Sequence, residues 1–210
     1  MTIVALVDYG IGNLRSVEKA LAAAGAQVQL TSDPETILRA AKVVLPGVGA
    51  FGDGMQGLHQ RGLVGVVQEI VQRGVPLLGI CLGMQLLFET GEEMGTSVGL
   101  GLFPGRVLRF PSSRQAGAPR GPKIPQTGWN QFEPTRPHLL LDGLAPGCYA
   151  YFNHSYYCVA QEADDILAET EYGLRYCSVV GRGRLYGVQF HPEKSQAVGL
   201  QILRNFVEQG

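Results

Sequence analysis

Neither sign of charge dominates this sequence. Its 17 Lys and Arg stand against 18 Asp and Glu in 210 residues, a formal net charge of -1. A phosphate-binding surface wants clustered Lys and Arg, so a nucleic-acid partner is not expected. Long apolar runs are missing as well. No window reaches the roughly 18 uninterrupted apolar residues that a membrane helix needs. The opening run MTIVALVDYG is apolar, but it has no basic leader or small-residue cleavage site, and Asp8 interrupts it. It is not read as a signal peptide. The four cysteines, Cys81, Cys148, Cys158 and Cys177, form no CxxC pair, so free thiols in a reducing cytoplasm are expected. Their spacing to His59, His138 and His154 fits no metal site, and no cofactor is expected.

What remains is an ordinary globular composition, 45% hydrophobic and 17% charged, with no internal repeat and no interdomain linker. One domain over residues 1–210 is the expectation. In the first ninety residues short apolar runs alternate with helical patterns. Residues 2–7, 26–30, 43–45 and 75–80 read as strands. Leu14, Val17, Ala20, Leu21 and Ala24 recur at helical spacing, with Gly25 placed to stop that helix. Ser32 or Asp33 can cap the next helix, a further helix runs to about Arg73, and residues 82–89 have helical composition. Continuous apolar strands, each followed by a helix, indicate a parallel sheet covered on both faces.

The second half reads as shorter strands: residues 101–110, 148–154, 156–160, 166–170, 175–180 and 185–190. Tyr172-Gly173 and Gly181-Arg182-Gly183 look like hairpin turns. The fold class is therefore α/β, an open, mostly parallel three-layer sheet with antiparallel strands added in the C-terminal half. Residues 111–122, rich in Gly, Pro, Ser and Arg, are expected to form a mobile surface loop. Ser195 is placed to cap a last amphipathic helix.

Three short runs carry chemistry. In Gly79-Ile80-Cys81-Leu82-Gly83-Met84-Gln85 a nucleophile sits where a buried strand meets a helix, with glycines on both sides to allow the tight turn. A helix N-terminus there favours the reactive thiolate. In Gln189-Phe190-His191-Pro192-Glu193 the proline holds His191 extended, and residues two apart in an extended chain share a face. Glu193 can then fix the tautomer of His191 and stabilise its charged form. Pro46-Gly47-Val48-Gly49 lets backbone approach a ligand and can offer main-chain amides as an oxyanion hole. Gly10-Ile11-Gly12 is not a dinucleotide fingerprint, because Arg15 stands where the last glycine belongs. Taken singly, each run also has a bland reading: a buried structural cysteine, a surface ion pair, an ordinary turn.

Together and in this order, the three runs resemble the signatures of class I (triad-type) glutamine amidotransferases, across essentially the whole chain. Within that family, Asp8-Tyr9-Gly10-Ile11-Gly12-Asn13-Leu14-Arg15-Ser16, Gly128-Trp129-Asn130, the run from Tyr151 to Tyr157 and the run from Gln189 to Ser195 resemble the glutaminase subunits of imidazole glycerol phosphate synthases. The resemblance implies Cys81, His191 and Glu193 as catalytic residues. It implies backbone amides at Gly47, Val48 and Leu82 as the oxyanion hole. Gly49, Gln85, Glu93, Ser155 and Tyr156 would bind glutamine. One departure stands out: Pro125-Gln126-Thr127 precedes Gly-Trp-Asn where the family carries Pro-His-Met, a difference expected on the partner-facing side.

The implied partner is a (βα)8-barrel cyclase subunit, forming a heterodimer that makes imidazole glycerol phosphate and aminoimidazole carboxamide ribotide in histidine biosynthesis. Asn13, Trp129, Tyr151 and Lys194 are expected at that interface, because exposed aromatic, Asn and basic residues beside an active site mark a partner surface. The triad alone leaves other readings open. These are a glutaminase for anthranilate, pyridoxal phosphate or GMP synthesis, a γ-glutamyl cysteine hydrolase, or a silent interaction subunit.

Overall fold

The apolar runs of the first half become the parallel half of the sheet. β1 (Thr2–Val7), β2 (Ala26–Thr31), β3 (Lys42–Leu45) and β4 (Leu77–Ile80) are joined through α1 (Leu14–Ala23), α2 (Pro34–Arg39), α3 (Phe51–Gln60) and α4 (Leu63–Gln72). Then come α5 (Leu82–Leu86), β5 (Phe88–Gly91), β6 (Ser97–Val98) and β7 (Phe103–Arg109). β8 (Gln126–Gln131), β9 (Glu133–Pro134), β10 (Tyr149–His154) and β11 (Tyr156–Ala160) follow. β12 (Ile166–Glu171), β13 (Arg175–Arg182), β14 (Leu185–Val188) and α6 (Gln196–Gln209) complete the chain. These elements are those of a computed structural model that describes residues 2–111 and 122–210. The core of the expected surface loop, residues 112–121, lies outside them.

The main sheet runs β2-β1-β3-β4-β14-β13-β11-β7-β5-β6, with β12 and β9 branching from β13. From β2 to β14 every pairing is parallel, and β14 to β13 to β11 to β7 is antiparallel. β8 and β10 pair antiparallel as a separate ribbon. The expected fold class holds. β3, β4 and β14 are buried at every position, as central parallel strands covered on both sides must be. Alternation along β1 divides the core in two. Val4 and Leu6 face a cluster with α1 and α6, whereas Ala5 and Val7 face one with α2 to α5.

Several local expectations need correction. The single helix to Arg73 is two helices, because Gly62 adopts a left-handed φ of 66° between them. Residues 82–89 are not one helix. The carbonyls of Leu86 and Leu87 accept from Leu100, Leu102 and Phe103, and Phe88 onward pairs with β7. Asp33 caps α2 through Thr36, but Ser195 makes no side-chain cap on α6. Its hydroxyl donates to the His191 carbonyl at 2.6 Å and accepts from the Tyr151 amide at 2.9 Å. Residues 126–131, outside every expected strand, form β8.

Candidate active site

Three loops converge where β3, β4 and β14 end side by side, the edge of a parallel sheet at which ligands bind. Cys81 follows β4 directly. Its amide donates to the Val188 carbonyl at 2.8 Å, and its φ of 54° with ψ of -110° is a conformation that a non-glycine residue adopts only when its surroundings impose it. The flanking glycines explain how. A Cβ on Gly83 would lie 1.8 Å from the Leu45 carbonyl oxygen, and one on Gly79 would lie 2.7 Å from the Gly83 oxygen. α5 can fold back over β3 and β4 only because both residues lack a side chain.

α5 is five residues long, so its dipole gives less support to a thiolate than a full helix would. The charge comes instead from His191. Its ring is buried, and Nδ1–H donates to Glu193 Oε1 at 2.8 Å, with side chains 3% and 1% exposed. Burial on its own would lower the His191 pKa. Hydrogen bonds to Cys81 and Glu193 outweigh it, with the negative charges of both adding to the effect, and raise it to about 10. With Nδ1 occupied, Nε2 is the ring nitrogen left for the sulfur. The pairing arises differently from the alternation expected. His191 is extended, with φ -97° and ψ 98°, but Pro192–Lys194 is a 3-10 turn that brings Glu193 back under the ring.

Beside Cys81 is a cavity of about 270 Å³ lined by Val48, Gly49, Leu82, Gln85, Glu93 and Tyr156, with Ser155, Asn153, His154 and Pro125 completing the wall. All five residues expected to bind glutamine thus border one space. Both amide hydrogens of Gln85 are taken, one by the Tyr156 carbonyl and one by the Gln189 side chain, each at 3.1 Å. Gln85 therefore offers a ligand its carbonyl oxygen. Glu93, also in the cavity wall, accepts from the Phe51 amide at 2.8 Å through one carboxylate oxygen.

Gly47 packs where a Cβ would lie 2.4 Å from the Tyr9 hydroxyl and 2.9 Å from Leu82 Cβ. That hydroxyl donates to the Pro46 carbonyl at 2.6 Å, so the buried Tyr9 buttresses the loop beside Cys81. Burial, with Cys81 nearby, pushes the Tyr9 phenol far up and keeps it neutral. Tyr9 belongs to the run from Asp8 to Ser16, and nothing in its local pattern marks the buttress. His154 is similar. Burial lowers its pKa to about 4, with Nδ1–H donating to the Tyr156 carbonyl at 2.7 Å.

The four expected interface residues divide. Trp129 is 47% exposed, and its ring meets Tyr151 edge-on at 6.1 Å. Lys194 lies over the Tyr151 ring at 5.6 Å. This patch adjoins His191, because the Tyr151 carbonyl accepts the His191 amide at 2.9 Å. Asn13 is exposed at the start of α1, a helix that packs near the Pro192 turn, but it touches none of the three aromatic and basic side chains by any hydrogen bond. Gln126 departs from expectation. It is 2% exposed and accepts from the Tyr176 hydroxyl at 2.9 Å, so its difference from the family pattern falls inside the protein.

The model of the family described as glutamine amidotransferase class-I matches residues 5–209. The chain is 53% identical over 201 residues to an imidazole glycerol phosphate synthase subunit HisH from Salinibacter ruber, covering 96% of this chain and 92% of the relative. It is 51% identical to the protein of the same name from Moorella thermoacetica, with 98% and 94% covered. Among solved structures, one titled as a glutamine amidotransferase superposes with a TM-score of 0.73 at 20% identity, covering 98% and 97%. The PurLQS structure from Thermotoga maritima gives a TM-score of 0.73 at 16% identity, covering 98% of each chain. By sequence over nearly its full length, and by fold, the chain belongs to the class-I glutamine amidotransferase family.

Proposed function

We propose that this chain is the glutaminase subunit of an imidazole glycerol phosphate synthase, acting as one amidotransferase domain in the cytoplasm. The observation that carries the reading is the buried Glu193–His191 pair at the hydrogen-bonded edge of a strained Cys81 elbow. The Cys81 sulfur attacks the side-chain carbonyl carbon of glutamine, and backbone amides at Val48 and Leu82 receive the oxyanion. The C–N bond then breaks as His191 gives its proton to the departing nitrogen, leaving ammonia and a γ-glutamyl thioester. His191 next takes a proton from water, the hydroxide attacks the thioester, and glutamate leaves as the sulfur returns to thiolate. The Gln85 carbonyl, Glu93, Ser155 and Tyr156 hold the amino-acid end.

Free ammonia at neutral pH is mostly ammonium, which is no nucleophile, so the reaction is useful only beside a second site. The patch of exposed Trp129 and Lys194 against the half-buried Tyr151, next to His191, fits such a docking face, and a heterodimer with a barrel cyclase follows. The lyase step belongs to that partner. Relatives of about half identity along nearly the whole chain favour this synthase over anthranilate, pyridoxal phosphate or GMP synthesis. A glutamine-mimicking chloroketone tests the chemistry: labelling confined to Cys81 and blocked by glutamine is expected. Labelling elsewhere, with hydrolysis retained, would contradict it.

A further inference from the structure

Gln189 is fully buried, and every polar end of its side chain is occupied. Its Nε2 donates to the Cys81 sulfur at 3.8 Å. Its Oε1 accepts from Gln85 Nε2 at 3.1 Å and from the Cys158 thiol at 3.9 Å. The amide orientation follows from chemistry. Turning it over would set its NH2 against the Gln85 NH2 and a thiol hydrogen, leaving donors facing donors. The backbone is held too, since the Gln189 amide donates to the Ser178 carbonyl at 2.9 Å and continues the β13 ladder. Gln189 and His191 are two residues apart on the chain leaving β14, and both reach the same sulfur.

We propose that Gln189 is a positioning residue that holds the Cys81 sulfur from a second direction and ties it to Gln85; the inference rests on Cys81 being the nucleophile. A neutral amide N–H bonds a thiolate more strongly than a thioester sulfur, which carries no charge. Gln189 therefore stabilises the sulfur as attacking thiolate and again as leaving group. Through Oε1 the same side chain orients Gln85, so the nucleophile and one wall of the cavity share a support.

The test uses Gln189→Glu and Gln189→Met in the full chain, reading alkylation of the Cys81 peptide by iodoacetamide against pH, by mass spectrometry. Glu keeps the acceptor for Gln85 but sets a carboxylate oxygen against the sulfur. The alkylation midpoint should move up by about one pH unit, roughly tenfold slower on the rising limb. Its KM for glutamine should stay near wild type. Met removes donor and acceptor together, so it should shift the midpoint less and raise KM. A purely structural role would leave both profiles superimposed on wild type with only stability changed, and that result overturns the proposal. Should one variant fail to fold, the other decides by the same profile. Because alkylation is read without glutamine turnover, failure of the glutaminase reading would not be mistaken for failure here.

Discussion

Glu193 and His191 are bonded at 2.8 Å in a place where neither side chain meets solvent, and the carboxylate has no second partner among the described residues. Its charge is therefore matched by the imidazolium almost alone. Burying a carboxylate so incompletely bonded costs stability, which is tolerable where it holds a proton on a ring proposed to act in catalysis.

Opposite shifts of two histidines set a pH window for stability. His191 is raised to about 10 from 6.5, so its contribution is complete below pH 6.5 and is lost as pH rises toward 10. His154 is lowered to about 4, so its contribution is present above pH 6.5 and is lost as pH falls toward 4. Urea midpoints should peak near neutrality. His191→Gln should flatten the alkaline limb and His154→Gln the acid limb. Limbs unchanged in both variants would contradict these assignments.

The elbow depends on space as much as on chemistry. In Gly83→Ala the new methyl meets the Leu45 carbonyl, a backbone atom that cannot rotate away. We expect a loss of at least about 2 kcal/mol in denaturant unfolding, from the mechanism of overpacking, together with lower kcat.

Lys42 should matter for stability alone. Its ammonium, little exposed, donates to the carbonyls of Phe206 and Gly210 at 2.7 Å each, closing the C-terminus of α6. Lys42→Met should cost roughly 1–3 kcal/mol in thermal or urea unfolding while leaving Cys81 alkylation unchanged.

Trp129→Ala should weaken binding to the barrel cyclase by about 1–3 kcal/mol, roughly 5- to 150-fold, in a titration calorimeter. The melting temperature should hardly move, because about half of the residue's surface is already exposed. A large loss of stability with unchanged affinity would make Trp129 a core residue.

The parallel half of the fold was legible because buried parallel strands read as unbroken apolar runs, as at β3 and β4. Cys81 was legible because a strand-to-helix elbow needs glycines at fixed offsets. What escaped were facts set by distant chain. The end of α5 depends on Leu100 to Phe103 taking its carbonyls, and Ser195 leaves its cap because the Tyr151 amide and the His191 carbonyl engage its hydroxyl. Gln126 looked like a surface difference until β8 turned its side chain toward Tyr176. Tyr9 and Gln189 have ordinary local patterns, and only the juxtaposition of β1, β3 and β14 gives them their roles.

The most direct test is glutamate release from glutamine, by this chain alone and then with a barrel cyclase carrying its nucleotide ligand. The account predicts a large rise with the loaded cyclase, abolished by Cys81→Ala in a protein that still folds and binds. Hydrolysis that is indifferent to the cyclase, or that persists without the Cys81 sulfur, would contradict it.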